Sequence, residues 1–441
     1  MAVGRQAAYV GGAPPPVHRS PTARLRGAVR ATTALRPAAA AAALRRRGRC
    51  PPLPPASTAA AAAAAAAATG RRHRVGPPTM DAAGAGVYAP DASPATTRVV
   101  VFGATGYIGR YVVREFVRRG YAVTAFARPR SGVGGKKSEA DVIADFPGAR
   151  VVFGDVTDRG SVATAFAPPP PPGDVVGDAN TDAADATTAP PPTATVVVSC
   201  LASRTGGIAD SVAIDYEATA GVMEVAREAT APGGVHFVLL SAVCVQKPLL
   251  AFQHAKLRME AALTAAAEAD PTFSYAIVRP TAFFKSLAGQ VARLQAGKSY
   301  IMFGDGDLSK CNALSEADLA RFIADAAAEP AKRNAVLPVG GPGAPVTPAQ
   351  QAEMLFGILG KEPKYTRVPI GVMDGLIGVL GAVATVVPPM RDGVEFGKIG
   401  RYYATEDMVA EPYGEDTLEQ FFRDVAEKGL EGQELGDAAV F

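Results

Sequence analysis

Gly103-Ala104-Thr105-Gly106-Tyr107-Ile108-Gly109, entered from the apolar run RVVVFG at 98–103 and left through helical spacing at 107–119, decides the fold. A glycine trio on its own is weak evidence, because any Gly-rich turn would supply one. Here the strand before it and the helix after it provide the setting that a dinucleotide-binding turn requires. Gly103 permits the tight strand-to-helix turn, Gly106 lets the backbone approach a pyrophosphate, and Gly109 lets the helix pack closely on the sheet. The opening turn of the helix, with Thr105, Tyr107 and Ile108 around it, then offers unpaired N–H groups and a positive dipole end to phosphates.

The spacing is GxxGxxG and not GxGxxG, which is similar to the short-chain dehydrogenase superfamily. The end of the second strand bears on cofactor choice. An Asp or Glu there would hold the ribose hydroxyls of NAD, whereas this chain has Ala127-Arg128-Pro129-Arg130. A guanidinium accommodates a 2′-phosphate, so Arg128 is the candidate clamp for NADPH, with Arg130 in reserve. Asp155, ending the third strand, resembles the superfamily's adenine-contacting Asp. In that superfamily a Tyr-x-x-x-Lys pair does the acid–base work on the helix after the fifth strand. The Lys binds the nicotinamide ribose and lowers the Tyr pKa so that Tyr can protonate a carbonyl oxygen. The equivalent stretch is Phe252-Gln253-His254-Ala255-Lys256, so Lys256 is the candidate catalytic residue and no phenol accompanies it. A phenyl ring cannot donate a proton. Either the chain binds the cofactor without chemistry, or it reduces something that does not need the tyrosine, such as a conjugated carbon–carbon double bond.

Outward from this motif, apolar runs alternate with helical stretches: strands at 98–103, 121–127, 151–153, 196–201, 235–240 and 274–278, helices at 107–119, 211–229 and 253–269. Continuous Val/Ile/Leu runs separated by helices predict a doubly wound parallel α/β sheet of Rossmann type, covered on both faces. A Pro/Ala/Asp/Thr tract at 168–192 has no periodicity and reads as a loop insertion. After residue 280 the pattern turns to mixed loops and helices, expected to form a C-terminal substrate-binding lobe at 281–441. Within it the apolar stretch 375–387 is too short to span a bilayer. It reads as a buried helix, with a membrane-surface or tetrapyrrole-facing helix as the alternative.

Residues 1–80 contain thirteen Arg and no Lys, Asp or Glu, with an unbroken alanine run at 59–68. That is the composition of an organellar transit peptide and is set apart from the fold, with 81–97 as linker. The whole chain carries 45 basic and 42 acidic residues; without the arm the balance is 32 against 42, a net of −10. A domain of that charge with no basic stripe argues against nucleic acid as a partner. Cys200, Cys244 and Cys311 are widely spaced, and only His236 and His254 lie beyond the arm, so neither a disulfide framework nor a metal site is expected.

Several strings are far more specific than the glycine motif: SCLASR (199–204), IDYEAT (214–219), HFVLLSAVCVQKPLL (236–250), FQHAKLRME (252–260), VRPTAFFKSL (278–287), MFGDG (302–306), LPVGGPG (337–343) and EFGKIGRYYA (395–404). Together with GATGYIGRYVVRE at 103–115, they resemble the divinyl chlorophyllide 8-vinyl-reductase family, from about residue 98 to the end. The resemblance implies an atypical NADPH-dependent short-chain fold of NmrA-like type, a chloroplast location, and a divinyl tetrapyrrole substrate whose 8-vinyl group is reduced to ethyl. The membrane-surface alternative for 375–387 would correspond to peripheral association with the thylakoid or envelope membrane. Among its matched strings the resemblance adds Ser199, Leu201, Ser241 and Pro280 as cofactor contacts. His254, Cys244 and Lys247 are candidates near the substrate, His254 reading rather as a helix-surface residue. Two rival readings stand beside this one: a non-catalytic NADP-binding plastid redox sensor or assembly factor, and an isoflavone-reductase-like enzyme acting on a phenolic substrate.

Overall fold

The computed structural model describes residues 93–130, 137–168, 194–229 and 234–429, all within one compact unit, Asp81–Phe441. The arm at 1–80 and all but the first residue of the 168–192 tract lie outside the described residues. Six parallel strands come from the runs read in the sequence: β1 (Thr97–Phe102), β2 (Ala122–Ala127), β3 (Arg150–Phe153), β4 (Ala194–Ser199), β5 (Val235–Leu240) and β6 (Phe273–Pro280). They lie in the order β3-β2-β1-β4-β5-β6. The connecting helices are α1 (Gly109–Arg118), α2 (Glu139–Asp145), α3 (Arg159–Thr164), α4 (Thr219–Ala229) and α5 (Ala251–Ala269).

Side-chain alternation along the strands splits the core in two. Val99 and Val101 of β1, Val123 of β2 and Val196 of β4 face one layer of helices, while Val100, Phe102, Val197 and Phe237 face the other. α1 covers the first face through Val112, Val113 and Phe116; α4 and α5 cover the second through Val222, Met259 and Leu263. The chain enters α4 through a π-helical stretch, Ser211–Ala218, where the sequence had suggested an unbroken α-helix. Such wide turns are uncommon and concentrate at functional sites, because they re-aim side chains that regular helix would point elsewhere.

Beyond residue 280 run α6 (Gly289–Gln295), β7 (Tyr300–Phe303), α7 (Glu316–Ala328), β8 (Ala335–Val339), α8 (Pro348–Leu359), β9 (Tyr365–Val368), α9 (Ile370–Val386), α10 (Arg391–Thr405) and α11 (Leu418–Lys428). The sheet does not end at the expected boundary. β8 pairs in parallel with β6 as a seventh, edge strand, and α7 seals the α1 face with Leu319 and Ile323. β8 is half-buried and carries Pro338, which an edge strand tolerates because the missing N–H faces no partner. Buried His236 ties the layers together, with ring nitrogens 2.8 Å from Ser274 Oγ and 3.1 Å from Ala326 O. Burial lowers its pKa to about 4, so it stays neutral.

The reading of 375–387 as a buried helix is overturned. α9 packs on α10, but Ala384 is its only buried residue, and Leu376 and Val379 are 59% and 63% exposed. Too few apolar residues from the rest of the chain reach it to bury a helix that is apolar almost all round. No helix among the described residues is long and apolar enough to cross a membrane.

Candidate active site

The strand order reverses direction between β1 and β4, and ligands of such sheets sit outside the carboxyl ends of the strands at that crevice. Gly103, directly after β1, has φ +74°, and a Cβ there would lie 2.8 Å from Cys200 O. A Cβ on Gly109 would lie 2.1 Å from Gly103 O, so only glycine lets α1 start this close to the strand end. The turn is closed by Gly106 N donating to Gly103 O at 2.9 Å. Gly106 is exposed and Thr105 half-buried at the mouth, whereas Ile108 is buried under α1. The Tyr107 hydroxyl is buried with no hydrogen-bond partner, and its ring packs edge-on against Phe283 from the loop after β6.

Two charged candidates flank the ends of β2 and β3. Arg128 is exposed just past β2. Asp155 is exposed past β3, and its Oδ1 accepts from Thr157 N at 2.9 Å and Thr157 Oγ1 at 2.8 Å. Those bonds hold its carboxyl below the usual carboxylate range, with the positive charge of Arg128 adding to the effect.

At the other end the groups are buried. Lys256 Nζ lies 3.0 Å from Asp215 Oδ1, with side chains 9% and 1% exposed, and donates to Leu240 O at 3.3 Å. The approach of Lys256 to Oδ1 is that of an ion pair without hydrogen-bond alignment, since Oδ1 has no aligned donor. Oδ2 accepts from Ser203 N at 3.2 Å. Asp215 stands in the π-helical stretch, and its contact with Lys256 is the site feature that sequence reasoning missed. The one signal was an acid inside IDYEAT, on a face otherwise turned to the core. Ser199 Oγ, at the end of β4, is buried and unpartnered, and Leu201 is half-buried beyond it. Ser241 Oγ donates to Glu260 Oε1 at 2.5 Å, and Glu260 also binds Arg279, so this hydroxyl is committed to a buried network. Pro280 closes β6 opposite Val339.

The remaining substrate-side candidates separate clearly. His254 is exposed on α5. Lys247 is 67% exposed and pairs with Glu406 Oε2 at 2.7 Å. Cys244 is buried, and its carbonyl accepts from Gln253 Nε2 at 2.9 Å and Tyr402 Oη at 2.8 Å. Phe252 packs in the same apolar cluster as Cys244, Tyr402 and Tyr403, so α10 from the end of the chain lies across this corner. Burial raises the thiol pKa of Cys244, and that of Cys200 to about 12, with the Lys256 charge opposing both shifts.

Comparison with known proteins agrees with this architecture. Residues 95–168 match the model of the NmrA-like family. Among solved structures, the fold is similar to dTDP-glucose 4,6-dehydratase of Bacillus anthracis str. Ames (14% identity, TM-score 0.52, covering 78% of this chain and 99% of that one) and to isoflavone reductase (16%, 0.50, 75% and 99%). Among curated proteins, the chain is 51% identical over 362 residues to the chloroplastic divinyl chlorophyllide a 8-vinyl-reductase of Oryza sativa subsp. indica, covering 79% of this chain and 83% of the relative. It is 48% identical over 359 residues to the Arabidopsis thaliana protein of that name, covering 78% and 80%. This chain belongs to the divinyl chlorophyllide a 8-vinyl-reductase family.

Proposed function

We propose that the protein is a chloroplast NADPH-dependent reductase that converts the 8-vinyl group of divinyl chlorophyllide or protochlorophyllide to ethyl. The observation that carries this is Phe252 beside Lys256 in a chain 51% identical to a reductase of that name. A phenol poised to protonate a carbonyl oxygen is missing from its usual place, and reduction of a conjugated C=C does not call for one there.

A nicotinamide dinucleotide fits the arrangement, since glycine at 103 and 109 lets α1 start against the end of β1, the close strand-to-helix turn on which a pyrophosphate sits. Gly103, Thr105, Gly106, Tyr107, Ile108 and Gly109 would hold its phosphates, Arg128 the 2′-phosphate and Asp155 the adenosine. Ser199, Leu201, Ser241 and Pro280 would line the nicotinamide half, with Lys256 on its ribose. When bound, the reduced cofactor supplies a hydride. Asp215 fixes the Lys256 ammonium and balances its charge where both side chains are buried.

Incubating the purified protein with NADPH and divinyl chlorophyllide should shift the pigment's Soret absorption to the blue, because the macrocycle loses one conjugated double bond. NADPH binding without any spectral change of the pigment would favour the non-catalytic sensor instead.

The exposed stripe of α9 is read as resting on a chloroplast membrane surface. Val372, Leu376, Val379, Val383 and Val386 fall on one side of the helix, with exposed Arg367 before it and Arg391 after it. Val379→Asp should abolish flotation with anionic vesicles. Unchanged flotation with a raised pigment KM would place the stripe against the pigment.

A further inference from the structure

α5 lacks the superfamily tyrosine, yet a phenol stands in the corner that Phe252 occupies. Tyr403 of α10 packs in one cluster with Phe252, Cys244, Leu250 and Ala242, and in a second with Val243, Phe284, Cys311 and Met408. It therefore bridges the loops that follow β5 and β6, where a substrate must lie to meet the cofactor. Its hydroxyl and the Cys244 side chain, neighbours in that first cluster, are hydrogen-bond partners. Cys244 is held rigidly by the two donors on its carbonyl, and Lys256 acts on it electrostatically. The groups facing the hydroxyl are Cys244, Tyr402 and Cys311, none of which is an anion at neutral pH.

We infer that Tyr403 is the proton donor of the vinyl reduction, so that the phenol absent from α5 is returned to the site by the C-terminal helix, with Cys244 as its hydrogen-bond partner. This rests on the reductase reading above. With a bound reduced cofactor supplying a hydride to the terminal vinyl carbon, the electron pair of the double bond would move to the carbon attached to the ring and spread into the macrocycle. That carbon then takes the proton from the Tyr403 O–H, completing the ethyl group. The phenolate left behind takes a proton from Cys244 S–H, and solvent restores the thiol, so the cycle consumes one hydride and one proton. Burial holds the phenol well above its ordinary pKa, so the proton stays on oxygen until a strongly basic carbon is formed.

Tyr403→Phe keeps the ring and its packing and removes only the hydroxyl. General acid catalysis is worth about 10²–10⁴-fold, so kcat should fall at least a hundredfold while KM for the pigment changes less than about threefold. The solvent deuterium isotope effect on kcat should change as proton transfer becomes fully limiting. A second readout needs no turnover. In protein labelled with ring-¹³C tyrosine, the resonance missing from Tyr403→Phe should shift when pigment is added without cofactor. If Tyr403→Phe does not fold, 3,5-difluorotyrosine at 403 preserves the fold and should alter both kcat and the isotope effect. Wild-type turnover with unchanged kcat in these variants, or a Tyr403 resonance indifferent to pigment, would overturn the donor assignment. A wild-type protein that leaves the vinyl group intact would instead overturn the reductase reading.

Discussion

The proposed contacts at the adenosine end, from the glycine turn to Arg128 and Asp155, all lie between residues 103 and 155, and the two charged ones are exposed. At the proposed nicotinamide end the groups come from Ser199, Asp215, Cys244, Lys256 and Tyr403, and the ion pair among them is buried. One end is local in sequence and solvated, and the other is assembled from distant segments in low dielectric. A charge exposed to water contributes mainly through the ligand it meets, whereas a buried charge is part of the fold itself. The two ends should therefore respond differently to substitution.

The largest effect is expected at Lys256. Removing one member of a buried pair leaves an uncompensated charge, at about 3–5 kcal/mol. Lys256→Ala should lower the melting temperature sharply and abolish turnover, and Lys256→Ala with Asp215→Asn should recover much of the stability without the activity. A Lys256→Ala protein as stable as wild type would place the ammonium in solvent. Next, Arg128→Ala should leave stability unchanged and weaken NADPH binding about tenfold to a hundredfold, with little change for NADH. Equal weakening of both cofactors, measured by fluorescence titration, would remove Arg128 from the 2′-phosphate.

Phe252→Tyr probes the seam between the two ends. It restores the superfamily phenol, yet vinyl reduction should stay level or fall, because the site holds Tyr403 already and no carbonyl oxygen awaits a second proton. A large gain in kcat would mean that a donor on α5 was limiting. The smallest effect is expected at Glu316, a buried carboxyl at the start of α7 whose Oε1 has no hydrogen-bond partner. Burial raises its pKa to about 7, with nearby Asp416 adding to the shift. The folded state thus prefers the neutral acid. Its stability contribution is complete below the unfolded carboxyl pKa and is lost as pH rises through about 7. Glu316→Gln should raise the melting temperature by about 2–4 °C at pH 8 and leave it nearly unchanged at pH 5. An equal gain at both pH values would assign the effect to packing instead.

Apolar runs and a glycine turn between strand and helix determined the parallel sheet and its cofactor crevice from sequence alone. Both signals are local: hydrophobic periodicity fixes which face of each element is buried, and backbone sterics fix which turn can follow. Family-specific strings extended the reading to the substrate class. β8 escaped because a half-buried strand containing proline carries little periodic signal, and its place was decided by pairing with β6. Tertiary structure alone brought Asp215 to Lys256 and Tyr403 to Cys244, since neither contact has a counterpart in sequence spacing. It also decided the fate of α9, which composition marks as apolar but which the remaining core residues leave in the open. Burial depends on how much partner surface the whole fold supplies to a segment, and no local pattern encodes that quantity.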